Sequence, residues 1–278
     1  MNRYMKLVNY EINRFFKIYF SLLLITFLSQ IAGVLIMSKG YINEINRALL
    51  DQGYSKNEYI QHFGKMSFPQ IMDSLWFFGP IGICAAAMIF YMFLIWYRDW
   101  FGKNTFIYRL FMLPTSRLNI FFAKATAIFL MVLGLIAFQL LLLPLQNGLF
   151  QSIVPADFRS LMTIGEILRA NSNISMIIPT TFSEFLSYYG IGLILILVVF
   201  TAILFERSYR LKGIVLGILY MILAGAVFLS PILIMIFLES NNFFYPLEFL
   251  LLEIGLGILI AFTSIWISHY LLNKKVTV

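Results

Sequence analysis

Reactive and metal-binding side chains are scarce in this sequence: it has one cysteine and two histidines, and only 12% of its residues are charged. A lone Cys84 excludes an intrachain disulfide framework and leaves a small packing residue as its expected role. Neither paired-cysteine spacing nor H-E-x-x-H occurs, so no metal site is expected. Two Gly-Lys pairs, Gly64-Lys65 and Gly102-Lys103, lack the remainder of a phosphate-binding loop. The positions that need an earlier glycine hold Tyr59 and Tyr97, and those that need Ser or Thr after the lysine hold Met66 and Asn104. The chain is therefore expected to bind no nucleotide, metal or other cofactor, and to hold no catalytic residue.

What replaces charge is apolar surface. Hydrophobic residues make up 61% of the chain, against about 45–50% in soluble domains, where charged residues reach about 25%. The excess is gathered into six runs: 18–37, 74–97, 119–145, 185–205, 214–237 and 249–272. Each reaches the roughly 20 residues that carry a helix across a bilayer core about 30 Å thick. None alternates as a membrane β-strand would. The first run follows basic residues as a secretory signal does, but it is too long for one. Lys39-Gly40-Tyr41 follows it in place of a cleavage pattern, so it is read as a retained span. The expected fold is an all-α integral membrane protein with six transmembrane helices.

Lys and Arg fix the expected direction. Fourteen fall on one side: Arg3, Lys6, Arg14 and Lys17 before the first span; five between Arg98 and Lys124; Arg207, Arg210 and Lys212; Lys274 and Lys275. Six fall on the other, and of the acidic residues only Glu11, Asp99 and Glu206 accompany the fourteen. The basic side is expected to be cytoplasmic, with both termini inside. His62 and His269 then lie on opposite sides and cannot share a metal. The net charge of +7 follows from this topology and from anionic inner-leaflet lipid, with no nucleic-acid partner implied.

Residues 1–17 are expected to form an interfacial amphipathic helix. Tyr4, Val8, Ile12, Phe15 and Tyr19 recur at three-to-four spacing, and the basic residues fall on another face towards lipid headgroups. The outer connections 38–73 and 146–184 mix polar and apolar residues, as in Tyr41–Leu50 and Met162–Leu168, which predicts short surface helices. Residues 239–248 are apolar enough to dip into the bilayer if protein shields their backbone. Between the second and third spans, Thr105–Met112 can be helical. Leu113-Pro114 should end that helix, and a Thr115 or Ser116 side chain can cap the next.

Ionisable residues within spans are functional candidates by default. Lys124 is one turn inside the third span and is expected to snorkel to the cytoplasmic surface. Asp73 and Glu248 sit near the outer interface. Glu253 lies about 12 Å inside a last span that starts near Tyr245. Two readings of it stand: a carboxylate facing a cavity or partner, or the mark of a re-entrant turn with Glu248. Gly213 and Gly217 form a small-xxx-small pair that permits close helix packing.

The segment Arg98-Asp99, Gly102, Thr105, Leu110, Leu113-Pro114-Thr115-Ser116-Arg117 and Lys124 resembles the type-two ABC-transporter permeases, the membrane halves of many bacterial exporters. It departs from that pattern in Asp99, where the family carries Glu, and in Lys103-Asn104, which separate glycine from threonine. The resemblance implies half of a translocation pathway in a bacterial cytoplasmic membrane. Its implied partners are a second permease subunit, identical or homologous, and two separate ATPase subunits holding ATP and Mg. A coupling helix from Gly102 to Met112 would enter a cleft of the ATPase. The residues implied in coupling are Arg98, Asp99, Gly102, Thr105, Tyr108, Arg109, Leu113, Pro114, Ser116 and Arg117. Asp99 would pair with a basic residue of the partner, or with Arg98 or Arg117. Glu248 and Glu253 are candidates for the pathway or its gate. Outer acids and a phenylalanine-rich interior favour a hydrophobic or cationic amphipathic substrate, such as a peptide or drug. Two other classes stand beside this one. A membrane-embedded enzyme would need a polar pair at matched depth, and a sensor or assembly factor would lack an ATPase partner.

Overall fold

A computed structural model describes residues 3–51, 53–101, 106–237 and 245–275. Gly102, Lys103, Asn104 and Thr105 of the expected coupling segment, and most of the apolar connection around 238–244, lie outside the described residues. Eleven α-helices follow one another among the described residues: α1 (Arg3–Leu50), α2 (Lys56–Phe63), α3 (Phe68–Met72), α4 (Leu75–Trp100), α5 (Phe106–Phe111), α6 (Arg117–Ile153), α7 (Ile164–Ala170), α8 (Ser172–Ile177), α9 (Phe182–Tyr209), α10 (Leu211–Phe237) and α11 (Pro246–Tyr270). A π-helical turn, Leu271–Lys275, extends α11. Six of these helices are long and apolar enough to cross a membrane, and they fall on the six expected runs.

Two differences from expectation concern length. α1 runs unbroken for 48 residues, about 70 Å at 1.5 Å per residue, so 1–17 is not a separate helix. Nothing interrupts it: no proline occurs within it, and its glycines are tolerated. α6 has 37 residues, about 55 Å. Both exceed a bilayer core of about 30 Å.

The chain forms two compact units. The first comprises Met1–Arg14, Ile89–Leu130 and Ser183–Val278. Its centre is an aromatic triad from α4, α6 and α9: the Trp96 ring lies 5.5 Å from Phe200 and 6.4 Å from Phe121, and Phe121 lies 5.7 Å from Phe200. The near-perpendicular packing of Phe200 on Trp96 and on Phe121 suits the ring quadrupoles. α9 and α10 are joined through Arg210 alone, which takes the left-handed conformation (φ 54°) that a one-residue reversal demands. The reversal presses Gly213 and Gly217 onto the backbone of Phe205 and Ala202. The small-xxx-small pair therefore does pack helix on helix. Thr201 then reaches Ser268 Oγ at 2.9 Å, and Tyr220 reaches Ser264 Oγ at 2.6 Å, binding α9, α10 and α11 together.

The second unit comprises Phe15–Met88 and Met131–Phe182. Its core gathers Val34 and Ile45 of α1, Phe68 and Met72 near α3, Phe150 of α6 and Ile167 of α7. The short helices expected in the two outer connections do form, as α2, α3, α7 and α8, while residues 41–50 continue α1; they pack into this core rather than lying on the surface. Met66 N donates to Phe158 O, and Ser160 N to Met66 O, both at 3.0 Å. Ser55 and Thr163 cap α2 and α7 with full capping boxes to Glu58 and Glu166. A glutamine ladder also lies buried here. Gln146 Nε2 donates to Gln30 Oε1 at 2.7 Å, and Gln30 Nε2 donates to Gln139 Oε1 at 3.1 Å. Cys84 is buried beside Thr26.

Candidate functional site

The first unit holds a buried ion cluster built from α1, α4 and α6. Lys124, expected at a surface, is fully buried. Its Nζ donates to Glu11 Oε1 at 2.7 Å, Asp99 Oδ2 at 2.5 Å and Ile95 O at 3.0 Å. An ammonium has three N–H donors, and all three are used. Asp99 accepts at its other oxygen from Arg14 Nη1 at 2.6 Å. Glu11 Oε2 accepts from Arg98 Nη2 at 3.3 Å, and Tyr91 OH donates to the Glu11 carbonyl. Three cations thus hold two carboxylates, and the desolvation each ion suffers is offset by several short hydrogen bonds. The cluster binds the start of α1 to the end of α4 and the first third of α6.

Beside it sits α5, six residues long. Its inner face, Ile107 and Leu110, is buried. Phe106 stacks on Tyr10 at 5.7 Å, and the Arg14 guanidinium lies 5.2 Å from both rings. Phe111 packs on Trp100, with Arg117 4.9 Å above its ring. Arg117 Nη1 also donates to Leu272 O at 2.6 Å, fastening α6 to the turn after α11. The end of α4 wraps Arg207, whose guanidinium lies 4.7 Å from the Tyr97 ring and 5.0 Å from Phe101. Tyr97 OH donates to Glu206.

The residues expected in coupling therefore fall into two groups. Tyr108, Arg109, Leu113, Pro114 and Ser116 are exposed. Arg98, Asp99 and Arg117 turn inward and are bound within the chain. The expected pairing of Asp99 with Arg98, with Arg117 or with a partner's basic residue does not hold: it pairs with Arg14 and Lys124, and at 0% exposure it is closed to any partner subunit. Arg14 and Arg3 likewise leave the lipid-facing role: Arg3 Nη1 donates to Pro114 O at 2.6 Å. Lys6 and Lys17 stay exposed. α6 starts with a backbone turn, Asn119 N to Ser116 O, while Thr115 Oγ1 is buried without a partner and caps nothing.

Glu248 is the helix-start residue of α11, its Oε2 accepting from Tyr245 N at 3.1 Å. Glu253 is half-buried five residues further on, in a groove of about 370 Å³ between α9, α10 and α11. The two carboxylates thus have separate places, one capping a helix and the other facing a cavity.

Glu11 and Arg14 were not foreseen as partners of Asp99 and Lys124. A signal existed, since Glu11 and Asp99 are rare acids on the basic side, and Lys124 is a lone charge in an apolar run. Sequence spacing does not show that separate helices bring them together. Among the described residues no group of His, Cys, Asp and Glu could hold a metal ion. No family model matches the chain, and neither a curated protein nor a solved structure does. Its helices have the length and composition of a multi-pass membrane protein.

Proposed function

We propose that the chain is the transmembrane subunit of an ATP-driven exporter of the type-two ABC permease class. It forms half of a translocation pathway in a bacterial cytoplasmic membrane, beside a second permease subunit. Separate ATPase subunits bind ATP and Mg and dock on the segment from Phe101 to Ser116. One observation carries this reading: α5 is anchored on its inner side and open on its outer side. Tyr108 is 40% and Met112 78% exposed, while Asp99 of α4, before α5, is tied by buried ions to α1 and α6, and Arg117, after it, donates to the Leu272 carbonyl. A push on α5 is then delivered to three long helices at once, which is what a motor outside the membrane requires. The membrane-enzyme reading fares worse, because the buried carboxylates of Glu11 and Asp99 are saturated by cations.

The test is purification of the full chain in mild detergent from its native membranes, with a photoreactive side chain at Arg109. A stoichiometric Walker-motif ATPase should co-purify and cross-link at that position. Isolation of the intact chain with no such ATPase, and no cross-link to one, overturns the reading.

A further inference from the structure

The groove between α9, α10 and α11 has a composition that defines its ligand. Ser187, Gly190, Ile194, Phe228 and Gly257 are among its lining residues, and Glu253 is the one ionisable group there. From Glu253 to Ala261, the groove follows α11 for about 12 Å. Its volume lies in the range of roughly 300–1,000 Å³ typical of small-molecule pockets. A Cβ added at Gly190 would meet nothing within 4 Å, so the space over this wall is open.

We infer that this groove binds a lipophilic organic monocation. Its apolar body lies along Gly190 and Ile194, and its ammonium or guanidinium pairs with the Glu253 carboxylate. Charge complementarity selects this occupant. Among the described residues no hydrogen bond or ion pair reaches Glu253, whereas Asp99 holds two cations and Glu11 three. A carboxylate in an apolar wall is costly unless paired, and a slot for lipid tails alone has no use for one. One carboxylate beside one serine hydroxyl also falls far short of the six to eight oxygens that calcium takes. Calling the ligand a transported substrate rests on the exporter reading; its binding does not.

The test uses the full chain in nanodiscs of zwitterionic lipid, with empty discs as background. Radiolabelled octylguanidinium should bind saturably, and octanol of similar length should compete at least tenfold more weakly. Glu253→Gln should lower affinity for octylguanidinium about tenfold or more, and Glu253→Asp should retain most of it. Gly190→Phe should abolish binding by filling the groove. Equal binding of octanol and octylguanidinium, or equal affinity in wild type and Glu253→Gln, overturns the site in favour of an apolar lipid slot. A change of oligomeric mass in Gly190→Phe assigns the groove to a second copy and also overturns it. The octanol comparison needs only wild-type protein, so it decides the matter even where a variant misfolds. Loss of binding with an ATPase still co-purifying removes the site alone; binding without an ATPase removes the exporter reading alone.

Discussion

Lys124 Nζ lies 2.5 Å from Asp99 Oδ2, and neither side chain is exposed. The pair joins α4 to α6, and Glu11 and Arg14 extend it to α1. Removing one member of a buried pair leaves an uncompensated charge, at a cost of about 3–5 kcal/mol. Lys124→Met is expected near the lower end of that range, because each carboxylate keeps an arginine. Asp99→Glu, longer by one methylene, is expected to cost about 1–3 kcal/mol by overpacking a closed site. Thermal melting in detergent checks both; an unchanged midpoint for Lys124→Met would contradict the buried pairing.

The glutamine ladder makes the opposite prediction for a grouped change. Gln30 serves Gln139, Gln146 and the Phe77 carbonyl together. Gln30→Leu should cost about 1–2 kcal/mol, the scale of hydrogen bonds between membrane helices. Replacing all three glutamines by leucine should be neutral or stabilising, because no buried amide is then stranded. Gln139 Nε2 and Gln146 Oε1 already lack partners. Melting of the single and triple variants in one detergent decides the point.

Much of this fold was legible because membrane helices announce themselves by length. All six runs became helices, and Pro114 did separate α5 from α6. What the runs could not give was where a helix stops outside the apolar stretch. Residues 38–50 and 146–153 continue α1 and α6 because both pack into the one core of the second unit, which is a long-range effect. The ion cluster was hidden for the same reason. Arg14 fits a lipid-facing stripe by spacing alone, and only the packing of α4 beside α1 turns it onto Asp99. Glu253, by contrast, was visible as a lone acid in an apolar run.

Acid should loosen α2 and α7 first. The carboxyls of Glu58 and Glu166 are held below their usual 4.5, mainly by the backbone N–H groups of Ser55 and Thr163, with the cap hydroxyls adding to it. A lowered folded value means the contribution is fully present above 4.5 and is lost as pH falls through that lowered value. Hydrogen exchange in Lys56–Phe63 and Ile164–Ala170, corrected for intrinsic rate, should therefore rise as pH falls from neutral to well below the usual 4.5. Glu58→Gln should flatten that dependence in α2 while leaving α7 responsive.

Gly217 tests the α9–α10 contact. A Cβ there would stand 2.8 Å from the Ala202 carbonyl oxygen, and at Gly213 it would stand closer still to Phe205 O. Backbone cannot swing aside as a side chain does, so Gly217→Ala must push the helices apart. The expected loss is about 1–3 kcal/mol. Gly225→Ala is the control, since nothing lies within 4 Å of its added Cβ. If both variants melt alike, the close approach is not a source of stability.

The separation of inner and outer residues around α5 gives the sharpest contrast. Asp99 and Lys124 are structural by position, so their variants should lose stability and partner binding together. Tyr108 and Arg109 are exposed, and surface changes away from special contacts usually stay within about 0.5 kcal/mol. Tyr and Arg are also the residue types that anchor interfaces, where truncation costs about 2 kcal/mol or more, or about 30-fold in affinity. Tyr108→Ala and Arg109→Glu are thus expected to melt as wild type does and, on the exporter reading proposed above, to bind the proposed ATPase about 30-fold more weakly. Titrating purified ATPase against nanodisc-held chain reads the affinity, and melting of the same samples reads the fold. A stable Tyr108→Ala/Arg109→Glu double variant with wild-type ATPase affinity would remove α5 as the docking point.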